Sequence, residues 1–145
     1  MSDFRVLVTG SRDHPKRGLV FEALDAVLFD KCQPGGKLTV VHGACPTGAD
    51  AYASEWCQLW SAQVIEEKHP ADWNTCTERC YHKPRPDGRC PAAGPRRNGE
   101  MVALGADLVL GFPLPGAWTN SRGTYNCLRQ AMQAGLEVKK LVYSV

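Results

Sequence analysis

The chain has 145 residues, a formal charge of +2, and 43% hydrophobic and 22% charged residues. This is the size of one ordinary domain and the composition of a globular protein, not of a disordered or fibrous one. No apolar run approaches the roughly 20 residues of a membrane-spanning helix, and the charge is too small for bulk electrostatics to imply nucleic-acid binding.

Met1-Ser2-Asp3-Phe4 leads straight into a strand-like run without a basic leader region, so a cytoplasmic protein is expected. The seven cysteines are an odd number, which favours reduced thiols or a metal site over a disulfide framework. Phe4 to Val8 reads as a buried first strand ending at Thr9-Gly10. Val20, Leu24, Val27 and Leu28 lie at helical spacing, and Pro34-Gly35-Gly36 stops that helix. Leu38 to Val41 is a second strand, running into His42-Gly43. Thr47 and Asp50 have the spacing of a capping box, and the helix they open carries Tyr52, Trp56, Leu59 and Trp60 on one face. A third strand is expected near Val64 to Glu67.

Between residues 69 and 95 the texture changes, with five of the ten prolines and little apolar periodicity. Such a segment inside a compact domain is functional or internally stapled. A helix from Arg96 to Leu104, a strand from Leu108 to Phe112 and a loop from Pro113 to Gly123 follow. A helix from Thr124 to Ala134, closed by Gly135, and a last strand from Val138 to Tyr143 complete the chain. The alternation predicts one α/β domain over 1–145: a Rossmann-like open parallel sheet of about five strands, helices on both faces, and a Cys/Pro-rich insertion at 69–95. The expected strand order is 3-2-1-4-5, with ligands at the carboxyl edge where the order reverses.

That edge selects Gly10-Ser11-Arg12 after the first strand and Gly116 through Arg122-Gly123-Thr124 after the fourth. Both segments lead to a helix N-terminus, whose N–H groups and dipole suit a phosphate. The loop from Gly43 to Asp50 opens on the same edge; Asp50 either hydrogen-bonds ribose hydroxyls or caps its helix. Neither a P-loop nor the Gly-x-Gly-x-x-Gly dinucleotide turn is spelled out.

Val6-Leu7-Val8-Thr9-Gly10-Ser11-Arg12, Gly43-Ala44 to Gly48-Ala49-Asp50, Gly94-Pro95-Arg96-Arg97-Asn98 and Arg122-Gly123-Thr124 together resemble the SLOG superfamily, most closely its YspA-like branch. The resemblance implies a Rossmann-like domain, usually homo-oligomeric, that binds nucleotides or nucleotide derivatives. It also implies kinship with the LOG phosphoribohydrolases, which cleave the N-glycosidic bond of nucleoside monophosphates. Arg97-Asn98-Gly99-Glu100-Met101 is similar to that enzyme's Arg-Lys-x-Glu-Met helix, and Gly123-Thr124 to the end of its phosphate loop. The enzyme's two carboxylates after Gly-Thr fall on Asn126 and Cys127, which cannot stabilise a cation-like sugar or activate water. Binding therefore survives the comparison better than hydrolysis, with Arg97, Glu100 and Asp50 as the catalytic candidates if the chain is an enzyme.

The insertion carries Cys76, Cys80, His82 and Cys90, four soft or borderline ligands that suit a closed, structural Zn²⁺ site. A loop with incidental cysteines and a Cys76–Cys80 disulfide are the alternatives. From Cys76 to Arg97 six basic residues face two acidic ones, a local +4 that could cover the ligand or touch nucleic acid. His42 is either a satisfied turn histidine or a crevice group, and Trp73 either stacks on a base or packs under the loop. Tyr52, Trp56 and Trp60 at helical spacing read as core or a subunit contact rather than a base-stacking platform. Their helix offers more aromatic surface than a small sheet readily covers, which together with the base rate of symmetric pairs predicts a homodimer or higher homo-oligomer. Three functions follow: a nucleotide-derivative sensor or sequestering protein, a LOG-like hydrolase, and a nucleic-acid binder using the basic insertion.

Overall fold

A computed structural model of the chain describes residues 3–32, 34–76 and 88–144. In chain order the elements are β1 (Phe4–Gly10), α1 (Arg17–Asp30), β2 (Leu38–His42), α2 (Gly48–Leu59), β3 (Val64–Lys68), α3 (Ala93–Ala103), β4 (Leu108–Phe112), a 3₁₀ turn (Trp118–Ser121), α4 (Arg122–Gln133) and β5 (Val138–Lys140). Among the described residues the strands form one parallel sheet in the order β3-β2-β1-β4-β5, as the alternation predicts.

The middles of the inner strands, Val6-Leu7-Val8, Val40-Val41 and Leu108-Val109-Leu110, are unbroken apolar runs because both faces are covered. Val6, Val8, Val40, Leu108 and Leu110 pack with Val20 and Leu24 of α1 and Ala53 and Trp56 of α2. Leu7, Val41 and Val109, one residue out of phase, pack with Met101 of α3 and Leu128 and Ala131 of α4. Right-handed crossovers explain this division: β1 to β2 to β3 runs one way and puts α1 and α2 on one face, whereas the return to β4 and on to β5 puts α3 and α4 on the other. Gly111 serves the second face, since a Cβ there would strike the Leu128 side chain. The edge strands β3 and β5 are short and charged, ending Glu66-Glu67-Lys68 and Lys139-Lys140, which blunts edge pairing.

Three expectations need correction: the capping box at Thr47, the start of α3 and the end of β5. Thr47 precedes α2 but makes no side-chain cap bond, and Asp50 does not close a capping box; its Oδ2 accepts the Cys45 N–H at 3.3 Å. The aromatic row of α2 packs on the core, one of the two readings its helical spacing allows. Trp56 is fully buried with its indole N–H on Asp25, Tyr52 and Trp60 are half-buried against the same core, and only Leu59 is exposed. α3 begins at Ala93, three residues early, because Pro95 falls in the first turn, where a missing N–H costs nothing. β5 stops at Lys140, since its ladder ends opposite Gly111 near the end of β4; Tyr143 instead lies edge-on to His14 at 5.1 Å. No described helix is long and apolar enough to cross a membrane.

Candidate functional site

The loops after β1, β2 and β4 open into one crevice of about 1260 Å³ at the carboxyl edge of the sheet. Gly10, Ser11 and Arg12 line it from the first loop, and Gly43 and Asp50 from the second. Arg97 and Asn98 come from α3, and Arg122, Gly123 and Thr124 from the start of α4. Two candidates lie elsewhere. Glu100 is exposed and does not line the crevice. Gly116 is an exposed turn residue at φ +94°, beside the Asn120 amide that donates to the Pro115 carbonyl at 3.3 Å.

The β1 loop is fixed by its backbone. The Ser11 N–H donates to the Phe112 carbonyl at 3.1 Å, and the Ser11 carbonyl accepts the N–H groups of His14 (3.3 Å) and Ala49 (3.2 Å). The Ser11 hydroxyl accepts the Asp13 N–H at 3.1 Å. The loop thus ties the end of β4 to the first turn of α2. That approach demands glycine: Gly48 has φ +73°, and a Cβ there would collide with the Ser11 carbonyl and the Arg12 backbone. At Gly43 a Cβ would enter the Arg97 guanidinium, so this glycine makes room for an arginine as well as lining the site.

Neither of the crevice helices α2 and α4 is capped by a side chain. Ser121 occupies the cap position of α4, yet its hydroxyl accepts the Leu114 N–H at 2.8 Å and folds the preceding loop. The first N–H groups of α4 are consequently left to another acceptor at the positive end of the helix dipole. Thr124 is buried in that first turn.

Arg97 is half-buried and bridges elements: its Nη1 donates to the carbonyls of Gly43 (2.7 Å) and His69 (3.1 Å), and its Nε to Asn98 Oδ1 (3.0 Å). The Asn98 amide donates to Asn126 Oδ1 at 3.1 Å and to the Gly123 carbonyl at 3.3 Å. Asn126 Oδ1 also accepts from Gln130 at 2.8 Å, so the position that would carry a carboxylate in the hydrolase is an amide knitting α3 to α4. Burial pushes the Cys127 thiol up to about 11, which keeps it protonated and poorly nucleophilic. Burial also raises Asp50 above the ordinary carboxylate value, with His42, the Cys45 N–H and Arg97 opposing the shift.

His42 is a satisfied turn histidine. Its Nδ1 accepts the Ala44 N–H at 3.0 Å, which places the proton on Nε2, 2.6 Å from Glu66 Oε2. It is buried and does not line the crevice. Trp73 does line it, with the Arg89 guanidinium 4.6 Å and that of Arg12 5.3 Å from its ring centroid. The ends of the insertion meet at this rim, where the Cys90 N–H donates to the Trp73 carbonyl at 2.6 Å. Of the four expected zinc ligands, Cys76 is exposed and Cys90 buried, while Cys80 and His82 lie outside the described residues. Among the described residues no group of three or more His, Cys, Asp or Glu side chains could hold a metal.

Sequence reasoning missed Trp118, Tyr125 and Arg129, which also line the crevice. The signal was available for two of them: Arg122, Tyr125, Asn126 and Arg129 are spaced i, i+3, i+4, i+7 and share one face of α4.

The description "YspA, cpYpsA-related SLOG family" fits residues 4–75, from β1 through β3 and on past Trp73. The Gene 61 protein of Mycobacterium phage D29 is 40% identical over 139 residues, covering 92% of this chain and 93% of that protein. No solved structure matches significantly.

Proposed function

The chain belongs to the YspA, cpYpsA-related SLOG family, and from that premise we propose that it binds a nucleotide or nucleotide-derived phosphate compound in the carboxyl-edge crevice, as a sensor or sequestering protein. The observation that carries the reading is the start of α4, where the natural capping hydroxyl of Ser121 is spent on Leu114 and the first-turn N–H groups stay open beside Arg122, Gly123 and Thr124. Gly10, Ser11 and Arg12 face the same space from β1. Calorimetric titration with mono-, di- and triphosphates of the common nucleosides tests it. At least one should bind with a micromolar Kd, and Thr124→Val should weaken that binding while the protein stays folded. Absence of binding across the panel overturns the reading.

Binding is preferred to N-glycosidic hydrolysis because Asn126 stands where the hydrolase has a carboxylate; Asp50 is the acid a hydrolytic variant of the proposal would use. The nucleic-acid alternative depends on a basic segment in which Arg79, Lys83 and Arg85 lie outside the described residues, and a steep fall of affinity with salt would mark it. A cytoplasmic setting, a homodimer or higher homo-oligomer and one structural Zn²⁺ on Cys76, Cys80, His82 and Cys90 are proposals from the sequence. Light scattering reads the assembly. Metal analysis of chelator-free protein reads the zinc, which Cys80→Ser should remove.

A further inference from the structure

Among the described residues five arginines line the crevice (Arg12, Arg89, Arg97, Arg122 and Arg129), against two carboxylates, Asp13 and Asp50, and no lysine or glutamate. These described lining residues carry a formal +3, more than the +2 of the whole chain. Three of these guanidinium groups, on Arg12, Arg122 and Arg129, have no carboxylate within ion-pair distance among the described residues. Elsewhere the described arginines Arg5 and Arg17 are paired with Glu67 and Glu55. Two of these three crevice arginines are instead held on aromatic faces: Arg12 is 5.3 Å from the centroid of Trp73 and Arg122 is 4.8 Å from that of Trp118. A ring positions a guanidinium without neutralising it, and its edge N–H donors remain available to an oxyanion.

We infer that the crevice is built for a ligand carrying two or more linked phosphate groups, such as a nucleoside diphosphate or a pyrophosphate-bridged nucleotide, rather than for a nucleoside monophosphate. A single phosphate monoester brings a charge of about −2 and leaves a cationic surplus inside a concave, partly desolvated site. A second phosphate removes the surplus and gives Arg12, on the loop after β1, and Arg122, at the start of α4, an anionic group each. The i, i+7 pair Arg122 and Arg129 extends the cationic lining along α4 beyond the reach of one phosphate at the helix N-terminus. The volume of about 1260 Å³ exceeds the range of about 300–1,000 Å³ usual for small-molecule sites.

This inference rests on the nucleotide reading above, and one titration series separates the two. Mono-, di- and triphosphates of each nucleoside are titrated into the intact protein at physiological salt, with inorganic pyrophosphate as a base-free probe. Affinity should rise at least tenfold from mono- to diphosphate, about 1.4 kcal/mol, and pyrophosphate should compete. Arg129→Gln, at an exposed position without an ion pair, should keep its circular dichroism and lose most of that gain while retaining monophosphate binding. Monophosphates binding as tightly as diphosphates, or a gain unchanged in both Arg129→Gln and Arg122→Gln, overturns the inference and leaves nucleotide binding standing. Failure of every nucleotide to bind overturns both.

Discussion

Among the described residues, two sets of arginines have opposite surroundings. On the β3 side Arg5 makes a two-pronged pair with Glu67 at 3.0 and 3.1 Å, and Glu67 also meets His69 at 2.7 Å. Arg17 grips Glu55 in the same way across α1 and α2. At the crevice, Arg12 and Arg122 rest on tryptophan rings and Arg129 has no ion pair among the described residues. The first group has its charge cancelled and works as bracing. The second is held in place but left charged, which gains the folded protein little by itself and is intelligible as preparation for an anionic ligand.

Arg97 stands between the groups, and the largest effect is expected there. It has no carboxylate within ion-pair distance among the described residues, yet it donates to two backbone carbonyls. Arg97→Ala leaves the Gly43 and His69 carbonyls without their donor and should cost about 2–3 kcal/mol of stability in urea unfolding, together with ligand binding. A loss below about 0.5 kcal/mol would put Arg97 with Arg12 as a group that serves the ligand alone.

Arg5→Gln should do the reverse, costing about 1 kcal/mol after allowance for solvent screening and leaving ligand affinity unchanged. Arg5 and His69 hold the Glu67 carboxyl down from its ordinary 4.5 to about 2. A depressed acid contributes stability above its unfolded value and loses it on acidification. The difference between wild type and Arg5→Gln should therefore be full above about pH 4.5 and vanish towards pH 2. A difference that persists at pH 2 would mean that the bracing is packing of the arginine stem.

The smallest effect belongs to Asp50. Burial raises its carboxyl, so its contribution is present below the ordinary 3.8 and is lost as pH climbs through the folded value. Asp50→Asn keeps an acceptor for the Cys45 N–H and removes the buried charge. It should raise stability at pH 7 by roughly 0.5–1 kcal/mol and flatten the pH dependence on the acid side, read by thermal melts from pH 4 to 7. A destabilised Asp50→Asn would show that Arg97 and His42 outweigh the burial.

The sheet was legible because each inner strand is an unbroken apolar run: Val6-Leu7-Val8, Val40-Val41 and Leu108-Val109-Leu110 admit no polar face, and alternating helices force parallel pairing. The crevice loops were legible through glycine, although the reason at Gly43 is an arginine passing by and at Gly48 a neighbouring carbonyl. What the sequence hid were partnerships between distant residues. Thr47 and Asp50 have capping spacing, but Asp50 is taken by Cys45; Ser121 looks like a loop residue and is bound to Leu114. Trp56 reads as core or a subunit contact, but its spacing does not show that Asp25, thirty-one residues earlier, receives its N–H. The separation of the arginines into paired and unpaired is of this kind too, because Arg5 and Glu67 lie 62 residues apart.

The most direct test of that separation is one calorimetric comparison of wild type, Arg5→Gln, and the double variant Arg12→Gln/Arg122→Gln, titrated with the tightest nucleotide of the panel. Wild type and Arg5→Gln should bind alike. The double variant should lose about 100-fold in affinity, about 2.7 kcal/mol, with its melting temperature within a degree or so of wild type. Equal losses in Arg5→Gln and the double variant, or full affinity in the double variant, would contradict the account.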